Sequence, residues 1–483
     1  MTTIKYVGSQ QRWPELSITG KQSAWMPGQQ EERGETEAMQ LLATGLFQRL
    51  SLLERFSGAR LVTDGNSLTA LGGSPRNASL SPTSDFGWAG YAMGFLGQRM
   101  QWVRNAAVSG ANINQRIAAF ATEVLPYSPT HVSFMEGRNA MVPVADGGGG
   151  LSLQEACERT GAYVQQALSA GVQVFLWTHP TGTVKPASEP GALVDWNRKL
   201  MAYNNFIRML ASVTRGVILV DGEAATIDYS SNTLSPKTNF IRSGNDPHLT
   251  SKGNRAMGQA FAAAALNHTP AVGGLYRPVS NYHNKVAGAG STARVLNSNP
   301  LFQGTGGTAT GGITGTIAAT CAAGVAAGTA TTVGSTPARA DGFGNDQQIV
   351  VSGASAGCTV FCRSDNSEAI SYVSSGDYLY ALANVSLSGM SGVLGVEIGI
   401  YLQAGPTLSN FGQQISATAA TDYDQTDLLD FWIATPISQF NLGAAVGLVY
   451  PRVNVNLAAG GGCTMKVGRM ALVNAGPQGL LLN

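Results

Sequence analysis

Between residues 58 and 268, short apolar runs alternate with helical patterns, and this alternation restricts the fold more than any other feature of the chain. The runs are ARLVT (59–63), THVSFM (130–135), VQVFLW (172–177) and GVILVD (216–221). Residues 153–171 space Leu153, Ala156, Cys157, Ala167 and Leu168 as one helical face, and residues 193–213 do the same with Trp196, Leu200, Tyr203 and Ile207. Strands separated by helices predict a doubly wound α/β domain, a parallel sheet covered on both faces.

The flanks read differently. Residues 1–57 are mixed and polar, and their one amphipathic stretch, ETEAMQLLATGLFQRL (35–50), suggests a helix lying on a neighbour. Beyond residue 269 a loop-like linker (269–298) leads to a Gly/Thr-rich opening and then to strand-like runs. These are IVVSGASAG, YLYALANVSLSG, GVLGVEIGIYLQ, AVGLVYPRVNVNL and CTMKVGRMALVN. Their pattern predicts an all-β sandwich over 299–483. This composition break also predicts that residues 58–268 work on their own, as a unit separable from the β-rich part.

Charge excludes several classes of function. With 30 basic and 29 acidic residues the net charge is +1, which gives no electrostatic case for nucleic acid or an anionic membrane as partner. No stretch approaches the ~18 apolar residues of a spanning helix, and the N-terminus lacks a signal-peptide core, so neither membrane insertion nor signal-dependent export is expected. Five scattered cysteines do not make a disulfide framework, and Cys358 and Cys362 have no nearby histidine to complete a metal site. They read as structural thiols, with no metal and no organic cofactor expected.

The first strand-like run ends in a polar turn, Asp64-Gly65-Asn66-Ser67. A serine at the carboxyl end of a strand is a candidate nucleophile, because open α/β sheets bind ligands there. It needs a base and oxyanion donors. Of five histidines, His131 opens a strand, His179 lies in a Thr-His-Pro turn, and His268 and His283 fall after the α/β region. His248, in GNDPHLTSKGNRAMG, stands just before a last helical stretch that a doubly wound sheet returns to the first strand. Gly110 in NAAVSGANINQR and Asn139 in SFMEGRNAM are candidate oxyanion donors, one through a backbone N–H, the other through its amide.

DGNSLT, VSGANINQR, EGRNA and DPHLTSKG, in this order, resemble the blocks of the SGNH (GDSL esterase) hydrolases over residues 58–268. The resemblance implies a flavodoxin-like sheet, Ser67 as nucleophile, His248 as general base, and an oxyanion hole made by the Ser67 N–H, Gly110 and Asn139. In that family an Asp three residues before the His orients it. Here that position is Asn245, and Asp246 is the nearest carboxylate, so either can hold the role, with Asp246 the preferred reading. Asn66 replaces the Asp of Gly-Asp-Ser-Leu, and Ala140 the Asp that often closes the third block. Asp64 reads as a structural cap, and His179 as structural.

GTGGTATGGITGT (304–316) with the strand-like runs after it, and the N-terminal YVGSQQRWPELSITGKQSAWMPGQ (6–29), resemble phage or prophage tail proteins. That implies an N-terminal adaptor (1–57) docking on other virion tail proteins, and a bacterial surface polysaccharide as partner. It also implies location in the virion, or in the lysogen cytoplasm before lysis, with a homotrimer among the expected assemblies. Together these give an O-deacetylase of that polysaccharide. A carbohydrate-binding tail protein with a decayed hydrolase domain is the alternative, and a lipid or thioester hydrolase a third. Trp432, Tyr401 and Tyr450 are either sugar-stacking rings or core.

Overall fold

A computed structural model describes residues 59–71, 87–96, 100–242, 247–266, 277–279, 281, 294–364, 372–402, 410–411, 415–416, 421–435, 438–439 and 449–476. Of the first 58 residues it describes 2–6, 13–14, 24–25, 30–33, 37, 40–41 and 47–49.

Five parallel strands form the α/β layer: β1 (Arg60–Gly65), β2 (Gln101–Asn105), β3 (His131–Met135), β4 (Gln173–Trp177) and β5 (Val217–Val220). They lie in the spatial order β2-β1-β3-β4-β5, the flavodoxin-like order expected from the sequence. The chain leaves β1 toward one edge, then crosses back to place β3 on the other side of β1. The crevice at the carboxyl ends of β1 and β3 is therefore the topological switch point, where such sheets bind ligands.

Both faces are covered, which explains why β1 and β3 are buried along almost their whole length. On one face pack α3 (Ile113–Ala119), α5 (Leu153–Ser169) and α6 (Leu193–Val213), through Phe120, Tyr163, Leu200 and Tyr203. On the other lie α2 (Trp88–Phe95) and α8 (Ser251–Leu266), where Trp88, Trp177, Phe175 and Phe261 form an aromatic cluster with centroids 4.6 to 6.0 Å apart. Each such ring withdrawn from water contributes about 2–3 kcal/mol. Local signals fix the helix starts. Ser152 and Glu155 form a capping box at α5, and Asn112 and Gln115 form another at α3.

The N-terminal residues contribute an antiparallel sheet in which residues 2–6 lie between 30–33 and 47–49. The amphipathic stretch expected as one helix is helical at Glu37, Gln40 and Leu41, but Phe47–Arg49 pairs with Ile4–Tyr6 as a strand. Ladder pairing satisfies the backbone of Phe47–Arg49.

Among the described residues, the C-terminal part forms one continuous mixed sheet of 13 strands. Its frame is two very long antiparallel partners, Tyr378–Leu402 and Val449–Asn474. Four of the expected strands are thus two. Register shifts between Ser388 and Gly395, with positive φ at Gly389, Gly392 and Gly460, make a corner that the ladder passes through without ending. Cys321, Cys358, Cys362 and Cys463 are free thiols buried in this part, as read from the sequence. Trp432 sits beneath Arg277 and Arg469, while Tyr401 and Tyr450 stack on each other at 5.8 Å. Tyr450 is 6% exposed, so its ring belongs to the packing rather than to an open sugar platform.

Candidate active site

The turn that carries Ser67 is built by its backbone. Gly65 has φ +136°, and a Cβ there would lie 2.3 Å from the Met135 carbonyl oxygen, so only glycine lets β1 turn sharply beside β3. Asn66 follows as the N-cap of a short helix α1 (Ser67–Ala70), its Oδ1 accepting from the Leu68 N–H at 3.0 Å. Ser67 is left half-buried at the first position of that helix. Beneath the turn, Asp64 is fully buried. It accepts from Arg116 Nε at 2.6 Å, the Tyr163 hydroxyl at 2.6 Å and the Gly65 N–H at 2.8 Å, the structural role expected for it. Burial raises the Asp64 pKa, and Arg116 and these hydrogen bonds offset part of that rise.

Glu136 is a residue the sequence reading passed over. It is 1% exposed at the end of β3 and accepts from Asn66 Nδ2 at 2.7 Å and from the Ala140 N–H at 3.0 Å. One carboxylate therefore ties the Ser67 turn to α4 (Arg138–Met141), the helix that carries Asn139. Burial lifts its pKa to about 7, against the pull of the N–H groups that bond to it. The replacement of the family's Asp now has a physical reason: an amide can donate to Glu136, whereas a carboxylate would face it as a like charge. The available signal was a Glu directly after the strand HVSFM, together with an Asn at position 66 where the resemblance leads one to expect Asp.

The oxyanion candidates converge on the same edge. Gly110 follows β2 with φ +78°, in a turn where the Val108 N–H donates to the Gly65 carbonyl at 3.1 Å. Asn139 Nδ2 donates to the Ala111 carbonyl at 3.1 Å, so the loops after β2 and β3 are joined one residue from Gly110. An amide carries two N–H groups, and this bond fixes its plane while using only one of them.

His248 arrives on a hairpin. Ile241 pairs antiparallel with Leu249, the Arg242 N–H donates to the His248 carbonyl at 2.9 Å, and the Thr250 N–H donates to Phe240 at 3.0 Å. Arg242 and His248 are thus cross-strand neighbours. Both line a small open pocket together with Ser67, Leu68, Leu71, Leu249 and Asn254. The structure so brings Ser67 and His248 to one pocket, and ties Gly110 and Asn139 to the turn that carries Ser67. Asp246 and Asn245 lie outside the described residues, as do His268 and His283. His131 is within β3, its Nδ1 2.8 Å from Thr130 Oγ1. His179 is buried away from solvent, and burial and the Arg138 guanidinium hold its pKa down to about 3, so it stays a neutral structural residue.

Among the described residues, no group of three or more His, Cys, Asp and Glu side chains is placed to hold a metal ion. No described helix is long and apolar enough to cross a membrane.

No protein-family model matches the chain, and neither does any curated protein. Solved structures do. A GDSL-like lipase from Bacteroides thetaiotaomicron is 17% identical with a TM-score of 0.34, over 43% of this chain and 88% of that one. A catalytic mutant of an acetylxylan esterase from Geobacillus stearothermophilus is 18% identical with a TM-score of 0.34, over 44% and 94%. An α/β hydrolase from the metagenome of Lake Arreo, Spain, is 19% identical with a TM-score of 0.32, over 44% and 95%.

Proposed function

We propose that this chain is a serine esterase of the SGNH type that removes O-acetyl groups from a bacterial surface polysaccharide, as part of a phage or prophage tail. The observation that carries the esterase reading is that Ser67 and His248, far apart in sequence, line one pocket just beyond the carboxyl end of β1. In the proposed reaction His248 takes the proton of Ser67 Oγ as that oxygen bonds to the ester carbonyl carbon. The negative charge that forms on the carbonyl oxygen is held by the N–H groups of Ser67 and Gly110 and by the Asn139 amide. His248 then protonates the departing sugar oxygen, and the C–O ester bond breaks. Water, deprotonated by His248, attacks the acyl-Ser67 carbonyl, and acetate leaves as His248 returns the proton to Ser67 Oγ. Asp246 orients the imidazole in this reading.

The polysaccharide, the tail location, the N-terminal adaptor and the folding of the β-rich part as a sandwich rest on the sequence resemblances of the flanks. Asn66 favours the active enzyme over a decayed one, because its side chain caps α1 and bonds Glu136 and so keeps the turn in order. The test is acetate release from O-acetylated and chemically deacetylated polysaccharide by the full chain. Release from the first alone, lost in Ser67→Ala, is expected. Binding without release would favour the decayed enzyme.

A further inference from the structure

The β-rich part grips the helix that follows His248. Ser251, the first residue of α8, donates its N–H to Asp422 Oδ2 at 3.0 Å. Its Oγ meets the hydroxyls of Tyr91 on α2 and of Tyr423, the latter at 3.1 Å, and the two tyrosine oxygens lie 3.3 Å apart. Asp422, Tyr423, Ser251 and Tyr91 are all at most 3% exposed. Next along the helix, Lys252 Nζ is 2.5 Å from Asp427 Oδ1. The Arg255 guanidinium then lies over Phe95 of α2 and Phe431 of the β-rich part. The seam is buried, polar and charged, and it is concentrated on the first turn of one helix.

That turn begins three residues after His248, and hairpin bonds already fix the backbone between them. A carboxylate that accepts a first-turn N–H satisfies one of the orphan donors of the helix and suits its dipole. We propose that Asp422 is a positioning residue for catalysis: it clamps the first turn of α8 and so holds His248 toward Ser67. The β-rich part is then a working component of the hydrolase, in contrast to the separable unit that the composition break near residue 269 predicts. This inference rests on Ser67 and His248 being nucleophile and base.

The test measures kcat and KM on p-nitrophenyl acetate, the rate of fluorophosphonate labelling at Ser67, and Tm, all in full-length protein. A base displaced by about 1 Å can cost up to ~10²-fold. Asp422→Ala is therefore expected to lower kcat and the labelling rate by about 10-fold or more, with KM held within about twofold. Asp422→Asn keeps an acceptor oxygen but loses the charge that suits the helix dipole, so it should recover only part of the loss. Arg339→Gln breaks the Arg339–Asp341 and Arg339–Asp346 pairs elsewhere in the β-rich part, and should lower Tm while leaving kcat unchanged. Wild-type kcat in Asp422→Ala would overturn the clamp, as would a loss of kcat in Arg339→Gln that tracks its Tm. If Asp422→Ala does not fold, Asp422→Asn decides, with a reduced kcat at unchanged KM expected and a wild-type kcat contradicting the proposal. Ser67→Ala separates the two levels. If it remains active, the reading of the site fails; if it is inactive while Asp422→Ala is unaffected, only the clamp fails.

Discussion

An acidic residue at position 66, beside Ser67, should harm this protein. In Asn66→Asp, an amide that donates to Glu136 Oε2 at 2.7 Å becomes a second carboxylate, at a position 1% exposed. Two ionised groups at that distance would repel by about 6 kcal/mol at an effective dielectric constant of ~20. Taking up a proton is the cheaper route. With the Glu136 pKa already about 7, holding the proton at pH 8 costs only about 1.4 kcal/mol. Loss of the amide donor adds about 1–3 kcal/mol. The expected destabilisation at pH 8 is therefore about 2–4 kcal/mol, or roughly 5–12 °C in Tm for a domain of this size. The sign with pH follows from the direction of the shift. The folded pKa of the pair is raised above its unfolded value, so stability is fully present below about pH 4 and is lost as pH rises through the folded value. Thermal melts of Asn66→Asp and wild type at pH 6 and pH 8 should show the larger gap at pH 8. A variant as stable as wild type at pH 8 would refute the tie between Asn66 and Glu136.

Other perturbations follow from the same geometry. Gly65→Ala drives a methyl group into the Met135 carbonyl, so it should cost about 3 kcal/mol or more and abolish soluble expression or esterase activity. Arg116→Met leaves Asp64 buried without its cation, with an expected loss of about 3–5 kcal/mol by denaturant titration. Because burial raises the Asp64 pKa, that loss should be smaller at pH 5 than at pH 8, where the unpaired carboxylate must ionise. If Asp246 orients His248, Asp246→Asn lowers kcat by about 10²-fold or more and Asn245→Asp gains little. The opposite ranking would assign the position to Asn245.

The sheet was legible because both of its faces are covered, so β1, β3, β4 and β5 appear as apolar runs in sequence. The candidate residues Ser67, Gly110, Asn139 and His248 could be picked out because each stands in a short polar loop, where a single turn fixes a side chain or an N–H. The contacts between those loops were not legible. Glu136 acquires meaning only when β3 lies beside β1 and Asn66 faces it. Asp422 has no local signature at all, since its partner Ser251 comes from another layer of the molecule. In the β-rich part, glycines that resemble turns in sequence instead form a corner within two continuous strands. The ladder between Tyr378–Leu402 and Val449–Asn474 supplies hydrogen bonds on both sides of them.

The most direct test of the central claim is covalent capture of the nucleophile. Full-length protein is treated with a fluorophosphonate probe, the modified peptide is identified by mass spectrometry, and acetate release is followed in parallel for wild type, Ser67→Ala and His248→Ala. The account predicts a single label on Ser67, a sharp fall in labelling in His248→Ala, and loss of acetate release in both variants. A label on another serine, or undiminished acetate release by Ser67→Ala, would contradict it.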